Sequence, residues 1–307
     1  MSEAWITLAT NDSYAIGALT LAQSLREVGS TKKTHCLVTK EISQNVRQQL
    51  DAQFDETTLV DTHNSRDTEN LALINRPDLG VTFTKLHCWR LTQYTKAVFL
   101  DADTLVVQNC DELFDRPDFS AAADVGWPDM FNSGVFVFKP SLETYRTLLA
   151  LATSQGSFDG GDQGLLNDFF ANWHSLPAEH RLPFIYNMTA GAFYTYPAAF
   201  RRYGANTKIV HFIGAEKPWH GQVGGIHKNE HYQKWHATHQ NQQFGGLNIS
   251  SQHSAHSSSS VTPSYISAKT SEPIETGREA WESGHPDYSG RDAFVNIQAA
   301  LNESLQK

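Results

Sequence analysis

Between Ala4 and about Gly214 the chain alternates short apolar runs with segments of helical spacing, and that alternation leaves few folds open to it. Ala4-Trp5-Ile6-Thr7-Leu8-Ala9 reads as a strand, and Ala15, Ala18, Leu19, Ala22 and Leu25 then recur at helical spacing across Tyr14–Val28. Cys36-Leu37-Val38, Thr58-Leu59-Val60, Ala97-Val98-Phe99-Leu100, Gly134-Val135-Phe136-Val137-Phe138 and Lys208-Ile209-Val210-His211-Phe212-Ile213 are further buried-type strands. The pattern predicts an α/β domain with a mainly parallel central sheet. Ligands of such sheets bind beyond the carboxyl ends of the strands, so the residues just after each apolar run are the ones to read for chemistry.

The rest of the chain differs. From 245 to 277 it is rich in Ser, His, Gln, Thr and Gly, with Ser257 to Ser260 as a run, too polar to offset its chain entropy and therefore expected to be a disordered linker. Residues 278–307 regain apolar character, and Phe294, Ile297, Leu301 and Leu305 fall on one face of a helix, with Ser289 and Asp292 as a capping pair. Such an amphipathic helix either folds back on the first domain, 1–244, or docks in a partner's groove. With 33 acidic against 24 basic residues the formal charge is -9, which argues against a nucleic-acid binder. Cys36, Cys88 and Cys110 are widely spaced and read as buried thiols in a reducing compartment. Met1 to Asn11 has no leader character, and no run approaches the ~18 apolar residues of a membrane span. A cytoplasmic location and no membrane partner are the expectation.

Ala97–Leu100 leads straight into Asp101-Ala102-Asp103. Two carboxylates on one face at a strand end repel unless a cation lies between them, and a divalent metal there would hold a diphosphate. Asp-x-Asp alone is a weak signal; its position after a buried strand strengthens it. His211 closes another strand and is followed by Gly214 and Lys217, a turn and an ammonium suited to a diphosphate. One imidazole with two carboxylates suits Mn²⁺ better than Mg²⁺, which prefers oxygen ligands. Taken singly, Lys85 reads equally as part of a solvated helix face, and Asp162, ahead of Leu165-Leu166, as a helix cap.

Longer strings add a resemblance. Leu8 to Tyr14, Gly80 through Tyr94, Phe99 through Val106, Asn132 through Val137 and above all Gln155-Gly156-Ser157-Phe158-Asp159-Gly160-Gly161-Asp162-Gln163-Gly164-Leu165-Leu166-Asn167 resemble the glycogenin family. Its members are retaining glucosyltransferases of glycosyltransferase family eight with a GT-A type nucleotide-sugar-binding fold. The resemblance implies Asp101, Asp103 and His211 as ligands of Mn²⁺, with Ala102 between them. It implies Leu8, Thr10, Asn11 and Tyr14 around the uridine of UDP-glucose, and Arg76, Lys85, Gly214 and Lys217 near the diphosphate and sugar. Asn132, Ser133, Asp159, Asp162 and Gln163 would surround the glucose.

Asp162 is the carboxylate for either retaining route, as nucleophile or as stabiliser of oxocarbenium-like charge, and the residues do not choose between them. The family's acceptor maps to Tyr194 within Phe193-Tyr194-Thr195-Tyr196-Pro197, with Tyr196 as near neighbour. Thr189-Ala190-Gly191-Ala192 departs from the family pattern there and leaves the choice between the two tyrosines open. A phenol with an ordinary pKa of about 10 needs a carboxylate to help it, and Asp124 and Asp162 are candidates. The tail from Trp281 to Leu301 also resembles the family's, which implies docking on glycogen synthase, and the family implies a homodimer. A family-eight enzyme with a separate acceptor, or a non-catalytic synthase scaffold, are the rival readings.

Overall fold

Strand and helix alternate because burial demands it: each strand that is apolar on both faces needs a helix above and below. In the computed structural model, which describes residues 2–190, 197–220 and 230–241, β1 (Glu3–Ala9), α1 (Asp12–Glu27), β2 (Lys33–Val38), α2 (Gln44–Gln53) and β3 (Glu56–Leu59) follow one another in this way. After the short α3 (Thr68–Leu73) comes a tight 3₁₀ segment, Pro77–Arg90. Then follow β4 (Lys96–Leu100), β5 (Thr104–Val106), β6 (Ser120–Ala123) and β7 (Phe131–Phe138). Helices α4 (Leu142–Ser154) and α5 (Asp162–Phe169) precede the short strands β8 (Arg181–Leu182), β9 (Met188–Thr189) and β10 (Ile209–His211). All of these lie in a unit spanning Met1–Ile249. The linker and the C-terminal helix expected over 245–307 lie outside the described residues.

Seven strands form one sheet in the order β3-β2-β1-β4-β7-β6-β8. β3, β2, β1 and β4 pair in parallel, β7 is antiparallel to both β4 and β6, and β8 pairs in parallel with β6. The sheet is thus mainly parallel, as the sequence predicts, with an antiparallel insertion at β7. Along β4, Ala97 and Phe99 enter one core while Val98 and Leu100 enter the other; along β7, Phe136 and Phe138 alternate with Val135 and Val137 in the same way. Rings stack on the first face, with Phe136 lying 5.1 Å from Phe99 and 5.4 Å from Trp89.

Two expected strands are longer or shorter than read. The strand read over Lys208–Ile213 is regular only over Ile209–His211, although Phe212 N–H still donates to Asp103 O at 2.9 Å. The one read over Thr58–Val60 begins earlier, at Glu56. β5, β10 and β9 form a separate three-stranded sheet, and its pairing is what matters for the site: His211 lies opposite Thr104, immediately after the Asp101–Asp103 turn.

Candidate active site

Asp101 and Asp103 converge in a turn and not, as expected, as alternating residues of one strand. β4 ends at Leu100, and the Asp101 carbonyl then accepts bonds from the Thr104 N–H (3.0 Å) and hydroxyl (2.7 Å). The turn carries the chain from the large sheet into the small one. There β10 presents His211, whose Nε2 lies 3.2 Å from Asp103 Oδ1 and 4.0 Å from Asp101 Oδ2. One ligand atom from each residue falls within 4.8 Å of the others, a spacing a single divalent cation can bridge. Two carboxylates and one imidazole are a donor set that fits a transition-metal dication such as Mn²⁺. A Cβ at residue 134 would stand 2.1 Å from His211 Cε1, so Gly134 of β7 is what lets the imidazole reach the carboxylates.

The expected site residues gather around this cluster. Leu8, Thr10, Asn11, Tyr14, Arg76, Lys85 and Ala102 line a cavity of about 370 Å³, together with Asp101, Asp103 and Asp162. Asn132, Ser133, Asp159, Gln163, His211, Gly214 and Lys217 line an adjoining one of about 110 Å³, which shares Arg76, Asp101, Asp103 and Asp162 with the first. The metal-type cluster therefore stands where the larger of these two cavities meets the smaller one. Tyr194 and Tyr196 lie outside the described residues.

Lys85 is on no solvated helix face. It is 2 % exposed within the 3₁₀ segment, and its ammonium bonds Asp162 Oδ2 (2.5 Å), Asp101 Oδ1 (2.9 Å) and the Ser133 carbonyl (3.1 Å). Burial alone would lower its pKa, but Asp101 and Asp162 together hold it well above the ordinary lysine value. At Asp101, burial pushes the carboxyl up against the pull of Lys85, and Asp103 and Asp162 add to the push. At Asp103 burial is outweighed chiefly by Lys217, 2.5 Å from Oδ2, so its carboxyl is held well below the usual range. The two acids of one motif are driven apart in proton affinity, Asp101 upward by burial and its neighbouring acids and Asp103 downward by Lys217.

Asp162 does not cap its helix. Asp159 accepts from the N–H groups of Gly161 (2.8 Å) and Gly164 (3.0 Å) and from Ser157 Oγ (2.7 Å), and so occupies the helix start. Burial raises the Asp159 carboxyl. Asp162 is thereby left to Lys85 and to the Ser133 hydroxyl, which donates to Oδ2 at 2.8 Å, while its own N–H is taken by Thr82 Oγ1 at 3.0 Å. Asp124 sits behind the wall. Its Oδ2 accepts from Asn132 Nδ2 and from Gln163 Nε2, both at 2.9 Å. At the larger cavity, Asn11 caps α1 by accepting from Tyr14 N–H at 3.0 Å, and Tyr14 packs edge-on against Trp219.

Several contributors are not among the residues the sequence points to. Asp78 clamps Arg76 with bonds of 2.9, 3.2 and 2.7 Å, Thr82 orients Asp162, and Asn187 Oδ1 lies 2.9 Å from His211 Nδ1. Asp78 was findable in principle as an acid two residues from Arg76. Asn187 was not, for nothing in Phe184-Ile185-Tyr186-Asn187 points to a metal.

The Glycosyl transferase family 8 profile matches residues 5–222. Glycogenin-1 of Caenorhabditis elegans is 71% identical over 235 residues, covering 76% of this chain and 54% of that protein, so the chain spans little more than half its length. Glycogenin-1 of Oryctolagus cuniculus is 44% identical over 332 residues and 99% of both chains. The solved galactosyltransferase LgtC, described as a complex with donor and acceptor sugar analogs, shares the fold at 18% identity and a TM-score of 0.52, over 76% of this chain and 99% of its own. No helix among the described residues is long and apolar enough to cross a membrane. The profile match and the full-length identity to the rabbit protein establish that the chain belongs to glycosyl transferase family 8, as a glycogenin-type glycosyltransferase.

Proposed function

We propose that the protein transfers glucose from UDP-glucose to its own Tyr194 with retention at the anomeric carbon, then extends a short α-1,4-glucan as primer for glycogen synthase. The observation that carries this reading is the Asp101–Asp103–His211 cluster at the junction of two cavities, with the Lys85–Asp162 pair beside it. The choice of donor and acceptor follows the family resemblance carried by the sequence strings, and the likeness to glycogenins over almost the whole chain supports it.

Leu8, Thr10, Asn11 and Tyr14 would hold the uridine at the carboxyl end of β1, where α/β sheets bind their ligands. Asp101, Asp103 and His211 would hold Mn²⁺, which when bound neutralises charge on the departing diphosphate. Lys217 and Arg76 bring further positive charge to that edge, and Gly214, at φ +106, allows the chain to turn there. Asn132, Ser133, Asp159 and Gln163 would shape the sugar-side wall. Asp162, fixed by Lys85 and Ser133, lines both cavities and would be the carboxylate that answers positive charge at the anomeric carbon. Residues 278–307 would bind glycogen synthase across the 245–277 linker, and the enzyme would work as a cytoplasmic homodimer.

Incubation of the purified protein with UDP-glucose and Mn²⁺, followed by intact mass and peptide mapping, tests this. Hexose steps on Tyr194 are the expected result. Steps on Tyr196 would move the acceptor, UDP release without any mass step would point to a separate acceptor, and neither from sugar-free folded protein would leave a scaffold.

A further inference from the structure

Asn187 joins the metal-type cluster to the sugar-side wall through a chain of hydrogen bonds whose polarity is fixed at both ends. The Gly134 N–H, which can only donate, lies 2.9 Å from one side-chain atom of Asn132, so that atom is the amide oxygen. The same Asn132 oxygen lies 2.8 Å from Asn187, so the Asn187 atom facing it is the NH₂ group. At the far side of Asn132, Nδ2 donates to the Asp124 carboxylate at 2.9 Å and to Gln163 Oε1 at 3.0 Å, which agrees with this orientation. Asn187 Oδ1 is therefore the atom that faces His211 Nδ1, at 2.9 Å.

An amide oxygen only accepts, so Nδ1 of His211 has to carry a proton. Nε2 is then the ring nitrogen left to bind a cation, and it is Nε2 that points at Asp103 Oδ1 and Asp101 Oδ2. A lone pair aimed at two carboxylates is repelled unless positive charge stands between them. His211, Asn187 and Asn132 are 4 %, 2 % and 8 % exposed, so little water reaches these bonds to compete. The backbone holds the arrangement as well. Asn187 N–H donates to Phe184 O at 3.0 Å, and the next residues enter β9, which runs parallel to β10 with Thr189 beside His211.

We infer that Asn187 is a positioning residue that fixes His211 in the Nδ1–H tautomer needed by a divalent cation at Nε2, and that through Asn132 it ties this ligand to the sugar-side wall. The inference rests on the metal reading given under Proposed function.

The test begins with the native, metal-free protein, in which ¹⁵N chemical shifts of His211 report the tautomer: Nδ1–H is expected, and Nε2–H overturns the inference. Mn²⁺ alone is then titrated and followed by the EPR signal of the free ion. Asn187→Leu, which removes donor and acceptor at similar volume, should bind Mn²⁺ about 10- to 100-fold more weakly. Asn187→Asp keeps the acceptor and should restore Mn²⁺ affinity to within a few-fold. Having lost the donor to Asn132, it should still bind UDP-glucose less tightly relative to UDP than the native protein does. Native-like Mn²⁺ affinity in a folded Asn187→Leu protein overturns the role. If that variant does not fold, the tautomer and Asn187→Asp decide, and loss of Mn²⁺ binding in Asn187→Asp then overturns it. Failure of the native protein to bind Mn²⁺ removes the metal reading instead, and the tautomer alone then supports or overturns the hold of Asn187 on the ring.

Discussion

Lys85 shows how far one buried charge can set the terms for its neighbours. Its ammonium lies against Asp101 and Asp162 and 5.0 Å from the centre of the Phe99 ring, with almost no solvent contact. Removing it leaves two acids in a low-dielectric site without their cation, and breaking a buried pair from one side costs about 3–5 kcal/mol. Lys85→Met should therefore lower the midpoint of chemical denaturation, and in whatever fraction folds it should abolish glucosyl transfer. A Lys85→Met protein of native stability would mean the pair is not held as described. Gly134→Ala tests the opposite kind of residue, one that matters by having no side chain. The added methyl would meet His211 Cε1 at 2.1 Å and so must displace the imidazole. Mn²⁺ binding, measured calorimetrically, should fall at least tenfold, with a packing cost of about 1–3 kcal/mol. At this scale the sequence spoke unevenly. The Asp-x-Asp pair was legible because both acids follow an apolar run. The burial of Lys85 was not, since a 3₁₀ segment carries neither the 3.6-residue nor the two-residue period by which a buried face is recognised.

At the scale of elements, α1 is more than a cover for the sheet. Its first turn is capped by Asn11, its Tyr14 lines the larger cavity, and Gly17 lets it approach the Asp101–Asp103 turn. A Cβ at residue 17 would lie 2.4 Å from the Ala102 carbonyl oxygen and 2.6 Å from the Trp219 ring. Gly17→Ala should thus push the helix off that turn despite its higher helix propensity. The expected outcome is a several-fold weaker UDP affinity with far-UV circular dichroism unchanged; unaltered UDP binding would show that the helix yields without disturbing the turn. The helix itself was readable from the recurrence of Ala15, Ala18, Leu19, Ala22 and Leu25, all of which are buried. The small sheet was not, because β5 and β9 have only three and two residues and show no period of their own.

Across the whole molecule, stability should depend on pH through histidines held neutral in the core. Burial lowers His35 to about 4 and His87 to about 4, from an ordinary value of 6.5. His35 sits between the Tyr94 and Thr58 hydroxyls, and His87 is stacked on His63 and bonded to the Asp61 carbonyl at 2.9 Å. Between pH 6.5 and 4 the unfolded chain binds protons that the folded one refuses. The contribution is therefore fully present above about 6.5 and is lost progressively as pH falls toward 4. Tm should drop by on the order of 5 °C between pH 7 and 5. Replacing His35 with Gln should flatten that slope; an unchanged slope would assign it to other groups.

By itself the sequence determined what local torsion and hydrophobic period can write. That covers the strand–helix alternation, the two-faced burial of β4 and β7, and the acids waiting at a strand end. It also carried enough longer strings to point to the family. Which distant groups meet those acids was decided only by tertiary structure. His211 reaches Asp103 because β10 pairs antiparallel with β5 in one register, and Lys217 reaches the same carboxylate across a sequence separation of 114. Asn132 and Asn187 meet 55 residues apart, because the start of β7 in the large sheet lies beside the residue that leads into β9 of the small one. A period records which face of an element is dry. It does not record which other element will cover that face, and the site is made of those meetings.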